Sequence, residues 1–120
     1  SPEEITMESD DRQLLLTTVW LFARHGQRAR ARTLCEALVE DDPQDGVSAA
    51  VLAELLLDDN EPAQALEILS TAKMPPSLRR AEALLETRAL QMLGRKDEAA
   101  KCWTRYVESS KGRSRTWVAS

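Results

Sequence analysis

The sequence predicts an all-α fold built from repeated pairs of helices. Of the 120 residues, 17 are Leu and 16 are Ala, whereas Val and Ile together number 8. Strong helix formers therefore outnumber β-branched residues. With 4 Gly and 5 Pro, the chain also has few breakers, which disfavours sandwiches, barrels and doubly wound sheets. Turn and core residues recur at one spacing, which indicates an internal repeat.

The repeat has a period of 34 residues. Gly26, Asn60 and Gly94 lie 34 positions apart, and both residue types tolerate the left-handed backbone of a tight helix–helix turn. Five residues after each turn comes an alanine, followed four residues later by a larger apolar residue: Ala31, Ala65 and Ala99, then Cys35, Leu69 and Trp103. We predict three helix-turn-helix units over 12–45, 46–79 and 80–113, an N-terminal extension over 1–11 and a tail over 114–120.

Apolar residues at helical spacing predict two helices in each unit. Pro43 and Pro76 mark the ends of the first two units, and Pro62 suits the first position of a helix because its missing N–H has no helical partner there. Residues 1–6 precede Met7 and are either an added remnant or the native start, so they are left out of the fold. The first-helix stripes are Leu15, Val19 and Phe22; Leu52, Leu55 and Leu56; and Leu84, Leu90 and Leu93.

This pattern resembles the tetratricopeptide repeat over residues 12–113. In that repeat the small alanine lets the second helix approach its partner closely, the Gly or Asn forms the turn and the Pro ends the unit. The resemblance implies a short right-handed solenoid of three units. In the third unit the repeat's usual Trp, Leu, Gly and Tyr positions hold other residues, so we expect a shifted or distorted first helix there: Ala83, Glu86, Thr87 and Leu90.

Charge and composition exclude several classes of partner. The net charge of −4 and the pI near 5.1 disfavour binding along nucleic-acid phosphates, and five aromatic residues are too few for a base-stacking platform. The apolar run at Leu14–Leu16 is far shorter than a membrane span, so we predict no membrane insertion. The two cysteines provide neither a disulfide framework nor metal-ligand spacing, and they favour a reducing cytoplasm.

Residues that could support catalysis have simpler explanations. His25 stands beside the turn glycine, where capping of a helix C-terminus is its ordinary role. A Cys35–His25 nucleophile pair is the alternative, but no third orienting group or oxyanion feature accompanies it. Neighbouring carboxylates fall at helix ends, and no phosphate loop or zinc motif is present. We therefore predict a protein that is not an enzyme, with no catalytic residue, no metal and no cofactor.

A concave groove is the predicted binding site, because the first helix of each unit lines the concave face of such solenoids. We predict Trp20 and Leu57 as anchors, with Glu54 and Arg88 setting orientation. Trp20 is equally consistent with a core residue that seals the first unit, and Leu16, Leu57 and Leu84 have the same alternative. The predicted groove positions are Leu16, Trp20, Ala23, Ala50, Glu54, Leu57, Leu84, Arg88 and Gln91.

One well-known partner of this repeat is disfavoured. A tetratricopeptide subfamily binds the C-terminal carboxylate of heat-shock chaperones through Lys, Arg and Asn side chains. Among the corresponding positions here, the indole of Trp20 is the one side-chain donor. Those positions are Leu16, Trp20, Val51, Ala81 and Leu85.

Segments of the first unit also resemble YscY-like (SctY) chaperones of bacterial type III secretion systems. The matching segments are Leu14–Leu21 and Gly26–Ala31, together with Trp103–Glu108 near the end of the third unit. The resemblance implies a cytoplasmic bacterial chaperone that binds a small secreted SctX-like protein and docks it to the export gate. A needle-subunit chaperone, a translocator chaperone and a generic tetratricopeptide scaffold remain alternatives. Without its client we expect homodimerisation, and we expect the tail from Lys111 to Val118 either to cover the last repeat or to enter a neighbour's groove.

Overall fold

The computed structural model describes the backbone of residues 9–119 and the side chains of residues 10–110. Within this range the all-α prediction is confirmed, since the single β feature is an isolated bridge between Asp45 and Lys73. A 3₁₀ turn, Pro76–Leu78, precedes the fifth helix. The helices are α1 (Ser9–Arg24), α2 (Arg28–Asp41), α3 (Gly46–Asp58), α4 (Pro62–Thr71), α5 (Arg79–Met92) and α6 (Lys96–Ala119).

The turn inside each helical pair has the left-handed backbone predicted from the period. Gly26, Asn60 and Gly94 have φ angles of 76°, 62° and 77°. In each turn the N–H of the following residue donates to the carbonyl five residues earlier, which satisfies a carbonyl at the helix end. These bonds are Gln27 to Phe22 at 2.8 Å, Glu61 to Leu56 at 2.8 Å and Arg95 to Leu90 at 2.9 Å. Local residue type therefore determines all three turns.

The helices pack as successive antiparallel pairs: α1 with α2, α3 with α4 and α5 with α6. The pairs stack through α2 on α3, α4 on α5 and α3 on α5. Ala31, Ala65 and Ala99 are all buried, as expected for the residue that allows close approach within a pair. The core is centred on α3, in which 8 of 13 residues are buried.

Helix α5 is an unbroken α-helix of 14 residues, so the distortion expected in the third unit is absent. Helix α1 begins at Ser9 and α6 ends at Ala119, so both extend past the predicted repeat region. The unit boundaries themselves remain predictions. Residues 1–8, and with them most of the predicted extension, lie outside the described range, as do the side chains of the tail from residue 111 onward.

A polar cluster joins the first pair to the start of α3. The guanidinium of Arg12 donates to Asp41 and to Asp45, both at 2.7 Å, and to the hydroxyl of Ser48 at 3.0 Å. Asp45 also caps α3, because its carboxylate accepts the N–H of Val47 at 3.1 Å. Partial burial acts to raise the pKa of Asp45, but the hydrogen bonds from Ser48 and Arg12 outweigh it and leave that pKa below its ordinary value.

Candidate functional site

A cavity of about 660 Å³ lies between α3 and α5 and reaches Trp103 of α6; we call it the α3–α5 cavity. Five of the nine predicted groove positions line it: Ala50, Glu54, Leu84, Arg88 and Gln91. The remaining lining residues are Val51, Ala81, Leu85, Thr87 and Trp103. Side chains from two stacked pairs therefore form one cavity, as expected where the first helices of adjacent units lie side by side.

The floor and the rim of the α3–α5 cavity differ in solvent exposure. Val51 and Leu85 are half-buried and pack against the core, so they form a fixed apolar floor. Leu84 stands on the rim with 47% of its surface exposed. An apolar cavity of this kind fits apolar side chains that project from one face of a partner helix.

Two charged residues of opposite sign flank this apolar floor. Arg88 donates to the carboxylate of Asp58 at 3.0 Å, so its guanidinium is held against α3. Asp58 also accepts a longer hydrogen bond from Arg28, at 3.4 Å. Glu54 is exposed, and no ion pair reaches it from residues 10–110. The carboxylate of Glu54 is therefore the charge at this site that is available to a partner.

The predicted positions on α1 do not line the α3–α5 cavity. Leu16 and Ala23 are half-buried and pack against the core. Trp20 is 55% exposed, so it is a surface residue rather than the core residue of the alternative interpretation. The guanidinium of Arg24 lies 4.6 Å from the centre of its ring, a cation–π contact.

The prediction that Leu57 is a groove anchor is wrong. Its side chain is 2% exposed and belongs to the core cluster. Helix α3 packs against α2, α4 and α5, and this enclosure leaves little of its circumference accessible. A charge introduced at Leu57 would destabilise the fold instead of reporting on binding.

Sequence analysis identified Trp103 only as the larger apolar residue of the third unit and did not place it in the groove. The equivalent residues of the first two pairs, Cys35 and Leu69, are buried, whereas Trp103 is half-buried and lies 5.4 Å from Tyr106, ring centre to ring centre. The position of Trp103 in the last pair could have indicated this, because no helical pair follows α6 among the described residues to cover the tryptophan. Val51, Ala81 and Leu85, considered only as positions that lack carboxylate donors, also line the cavity.

The two residues considered as a catalytic pair, Cys35 and His25, differ in burial. Cys35 is fully buried, and burial raises the pKa of its thiol to about 12, so the thiolate that attacks substrates is disfavoured. His25 is exposed in the α1–α2 turn. Within residues 10–110, no group of three or more His, Cys, Asp or Glu side chains is placed to hold a metal ion. No helix among the described residues is both long enough and apolar enough to cross a membrane.

Comparison with known proteins identifies the fold family. The tetratricopeptide repeat family model matches residues 22–85, which is more than half of the chain. The search of curated proteins found no match to this chain. Tetratricopeptide repeats are generally non-catalytic modules that mediate protein–protein interactions. The matched region, the three left-handed turns and the stacked helical pairs agree, and the chain belongs to the tetratricopeptide repeat family.

Proposed function

We propose that this chain is a protein-interaction module that binds an amphipathic helix of a small protein partner in the α3–α5 cavity. The observation that carries the proposal is the apolar cavity itself, whose floor is held by the core and whose walls come from three helices. A partner helix gains affinity there by burying its apolar face, without a need for buried charges.

The length of the cavity suits two to three turns of helix. Its α5 wall runs from Ala81 to Gln91 through residues at helical spacing, and 10 residue steps at about 1.5 Å each span roughly 15 Å. A partner helix presents residues i, i+3 or i+4, and i+7 over roughly 10 Å, which fits within that length. We expect three apolar side chains of the partner to occupy the cavity.

The charges at the rim determine the orientation of the partner. Because Asp58 already holds Arg88, an acidic residue of the partner gains little there. Glu54 is exposed beside the apolar floor and favours a Lys or Arg of the partner at the edge of its apolar face. Of the two residues predicted to set the orientation of the partner, Glu54 and Arg88, we therefore propose that Glu54 does so.

The finer proposal is a chaperone of a bacterial type III secretion system. It is supported by the resemblance of Leu14–Leu21, Gly26–Ala31 and Trp103–Glu108 to YscY-like proteins. In this proposal the partner is the small secreted SctX-like protein, and the complex docks to the export gate from the bacterial cytoplasm. Two alternatives remain. A generic interaction scaffold requires only the α3–α5 cavity, and a needle-subunit or translocator chaperone would have the same architecture.

Co-expression separates these proposals. The tagged chain is co-expressed in turn with the product of each small open reading frame beside its gene. The chaperone proposal expects one secretion component to become soluble and to co-elute with the chain in a defined ratio. Co-elution with a protein unrelated to secretion supports the scaffold, and a chain that retains none of these products contradicts the chaperone proposal.

Variants of the cavity then test the site, with calorimetric titration of the co-eluting partner. Because Leu84 is exposed, Leu84→Asp retains the fold but places a charge on the apolar rim, and we expect binding to weaken at least about tenfold. Glu54→Lys is expected to weaken binding by a smaller factor. Glu40→Lys, at an exposed position of α2 away from the cavity, is the matched control. Parental affinity in Leu84→Asp contradicts the site.

A further inference from the structure

The side of α1 that faces away from the core carries an exposed apolar strip. Leu14 is 66% exposed and Leu21 is 45% exposed, and the two residues lie seven positions apart, two helical turns. Thr17 and Thr18 lie between them. We call the strip formed by Leu14, Thr17, Thr18 and Leu21 the outer face of α1; none of its residues lines the α3–α5 cavity.

The repeat shows that this strip is a helix-packing face. Counting 34 residues on from Leu14, Thr18 and Leu21 leads to three buried residues of α3: Ser48, Leu52 and Leu55. In α3 this face is covered by the first helical pair, since the hydroxyl of Ser48 accepts from Arg12 and its carbonyl accepts from Cys35. In α1 the two leucines of the same face are exposed, and Thr18 between them is half-buried.

We propose that a second copy of this chain covers the outer face of α1, with the two α1 helices antiparallel across a twofold axis between Thr17 and Thr18. Leu14 and Leu21 lie equally far from that point, so the Leu14 of each copy meets the Leu21 of the other. Twofold symmetry forms this contact twice over one self-complementary surface. The occupant is therefore a copy of the chain rather than an unrelated helix.

The threonines at the axis are suited to a dry contact. The hydroxyl of Thr17 donates to the carbonyl of Gln13, and that of Thr18 to the carbonyl of Leu14, both at 3.0 Å within α1. Neither hydroxyl therefore loses its hydrogen bond when the partner helix excludes water. Small side chains at the centre also allow the two helices to approach closely.

The charges at the ends of α1 select the antiparallel arrangement. Asp10 and Asp11 lie in the first turn, and Arg24 lies in the last turn, next to His25. Antiparallel pairing brings the acidic end of each copy to the basic end of the other, with Asp10 near Arg24. A parallel pair would instead place like charges together, which is unfavourable.

The size of the contact predicts a weak, reversible dimer. One helix–helix contact with four leucines on either side of its centre belongs to the small, transient class of interfaces, below about 1,200 Å² in total. Sedimentation velocity of the purified chain, between about 1 µM and about 500 µM, is expected to show a monomer–dimer equilibrium within that range. A monomer at every concentration overturns the proposal.

Leucine variants locate the interface. Leu14→Asp and Leu21→Asp are each expected to abolish the dimer and to keep parental helical circular dichroism, because both positions are exposed. Leu84→Asp, at a leucine of similar exposure in the cavity, is the matched control and is expected to keep the dimer. A dimer that resists both α1 variants, or that is lost only in Leu84→Asp, overturns the proposal.

A charge swap tests the arrangement. Asp10→Arg and Arg24→Asp are each expected to weaken the dimer, because each places like charges together at both ends of the interface. The double variant restores opposite pairs and is expected to recover the dimer. The double variant has a basic residue at the N-terminus of α1 and an acidic residue at its C-terminus, and both charges are unfavourable for the helix dipole. Recovery of the dimer therefore cannot result from a more stable α1. If the double variant dimerises no more tightly than the weaker of the two single variants, the antiparallel pairing is overturned.

Discussion

The central pair, α3 with α4, and the last pair, α5 with α6, follow the same 34-residue pattern but bury it to different extents. Leu57 at the end of α3 is in the core, whereas Gln91 at the equivalent position of α5 is exposed. Leu69 in α4 is buried, whereas Trp103 in α6 is half-buried and lines the cavity. The same pattern thus builds a core in one pair and part of a binding surface in the other.

The difference shows that neighbours decide the role of a repeat position. The central pair packs between two others, and α3 alone contacts α2, α4 and α5. The last pair has a packed neighbour on one side only among the described residues. Burial of an apolar side chain requires a second surface, and a pair at the end of the stack lacks one of its two.

Overpacking provides the largest expected contrast between the two pairs. We expect Ala65→Trp to lower the free energy of unfolding by about 3 kcal/mol or more, because Ala65 is fully buried where α3 and α4 meet. Ala99→Trp is expected to cost about 1 kcal/mol, because Ala99 borders a cavity of about 500 Å³ into which the larger ring can turn. Urea unfolding followed by circular dichroism measures both losses. Equal losses would mean that the last pair is as enclosed as the central one.

Substitution of two glycines compares the central and last pairs through smaller expected losses of stability. A Cβ on Gly46 would lie 2.5 Å from the carbonyl oxygen of Lys73 and 2.8 Å from Cδ of Pro75, so Gly46→Ala must displace backbone at the start of the central pair. We expect a loss of about 2 kcal/mol. Gly94→Ala in the last pair meets no atom within 4 Å, and its φ of 77° costs about 1 kcal/mol. Thermal unfolding of both variants is the measurement, and a larger loss in Gly94→Ala would contradict the close approach at Gly46.

Substitutions of ion-paired arginines give the smallest expected losses of stability. Arg12→Ala removes the hydrogen bonds that hold Asp41, Asp45 and Ser48 at the start of α3, and we expect a loss of about 1–2 kcal/mol. Arg95→Ala in the last pair removes an exposed ion pair with Glu98, and we expect no measurable change. Equal effects of the two variants would show that the Arg12 cluster is no stronger than a surface pair.

The Arg12 cluster also predicts a dependence on pH. The pKa of Asp45 is lower in the folded chain than its usual value near 3.9, so the unfolded state binds more protons and this stabilisation is lost as the pH falls below about 4. Arg12→Ala moves that pKa back toward its usual value. The stability gap between parent and variant is therefore expected to narrow between about pH 6 and about pH 3. If the difference in stability between the parent and Arg12→Ala does not change with pH, the loss in the variant does not come from the ionised carboxylate of Asp45.

The candidate site was predictable where one helix face determines exposure. Ala50, Glu54, Leu84, Arg88 and Gln91 share one cavity, because a period of 34 residues places equivalent positions of α3 and α5 side by side. The positions on α1, with Trp20, lie outside that cavity, and Trp103 enters it from a second helix of a pair. Those differences depend on which pairs surround a helix, and a repeat pattern treats every pair alike.

By itself the sequence determined the helices, the three left-handed turns and the buried alanines. Each depends on residue type within a few positions, since Gly and Asn adopt positive φ at low cost and only a small side chain fits between closely packed helices. The tertiary structure alone decided that Leu57 is buried, that Trp20 and Leu14 are exposed and that Trp103 lines a cavity. Burial is a property of two surfaces in contact, and the stacking of the pairs determines which surfaces meet.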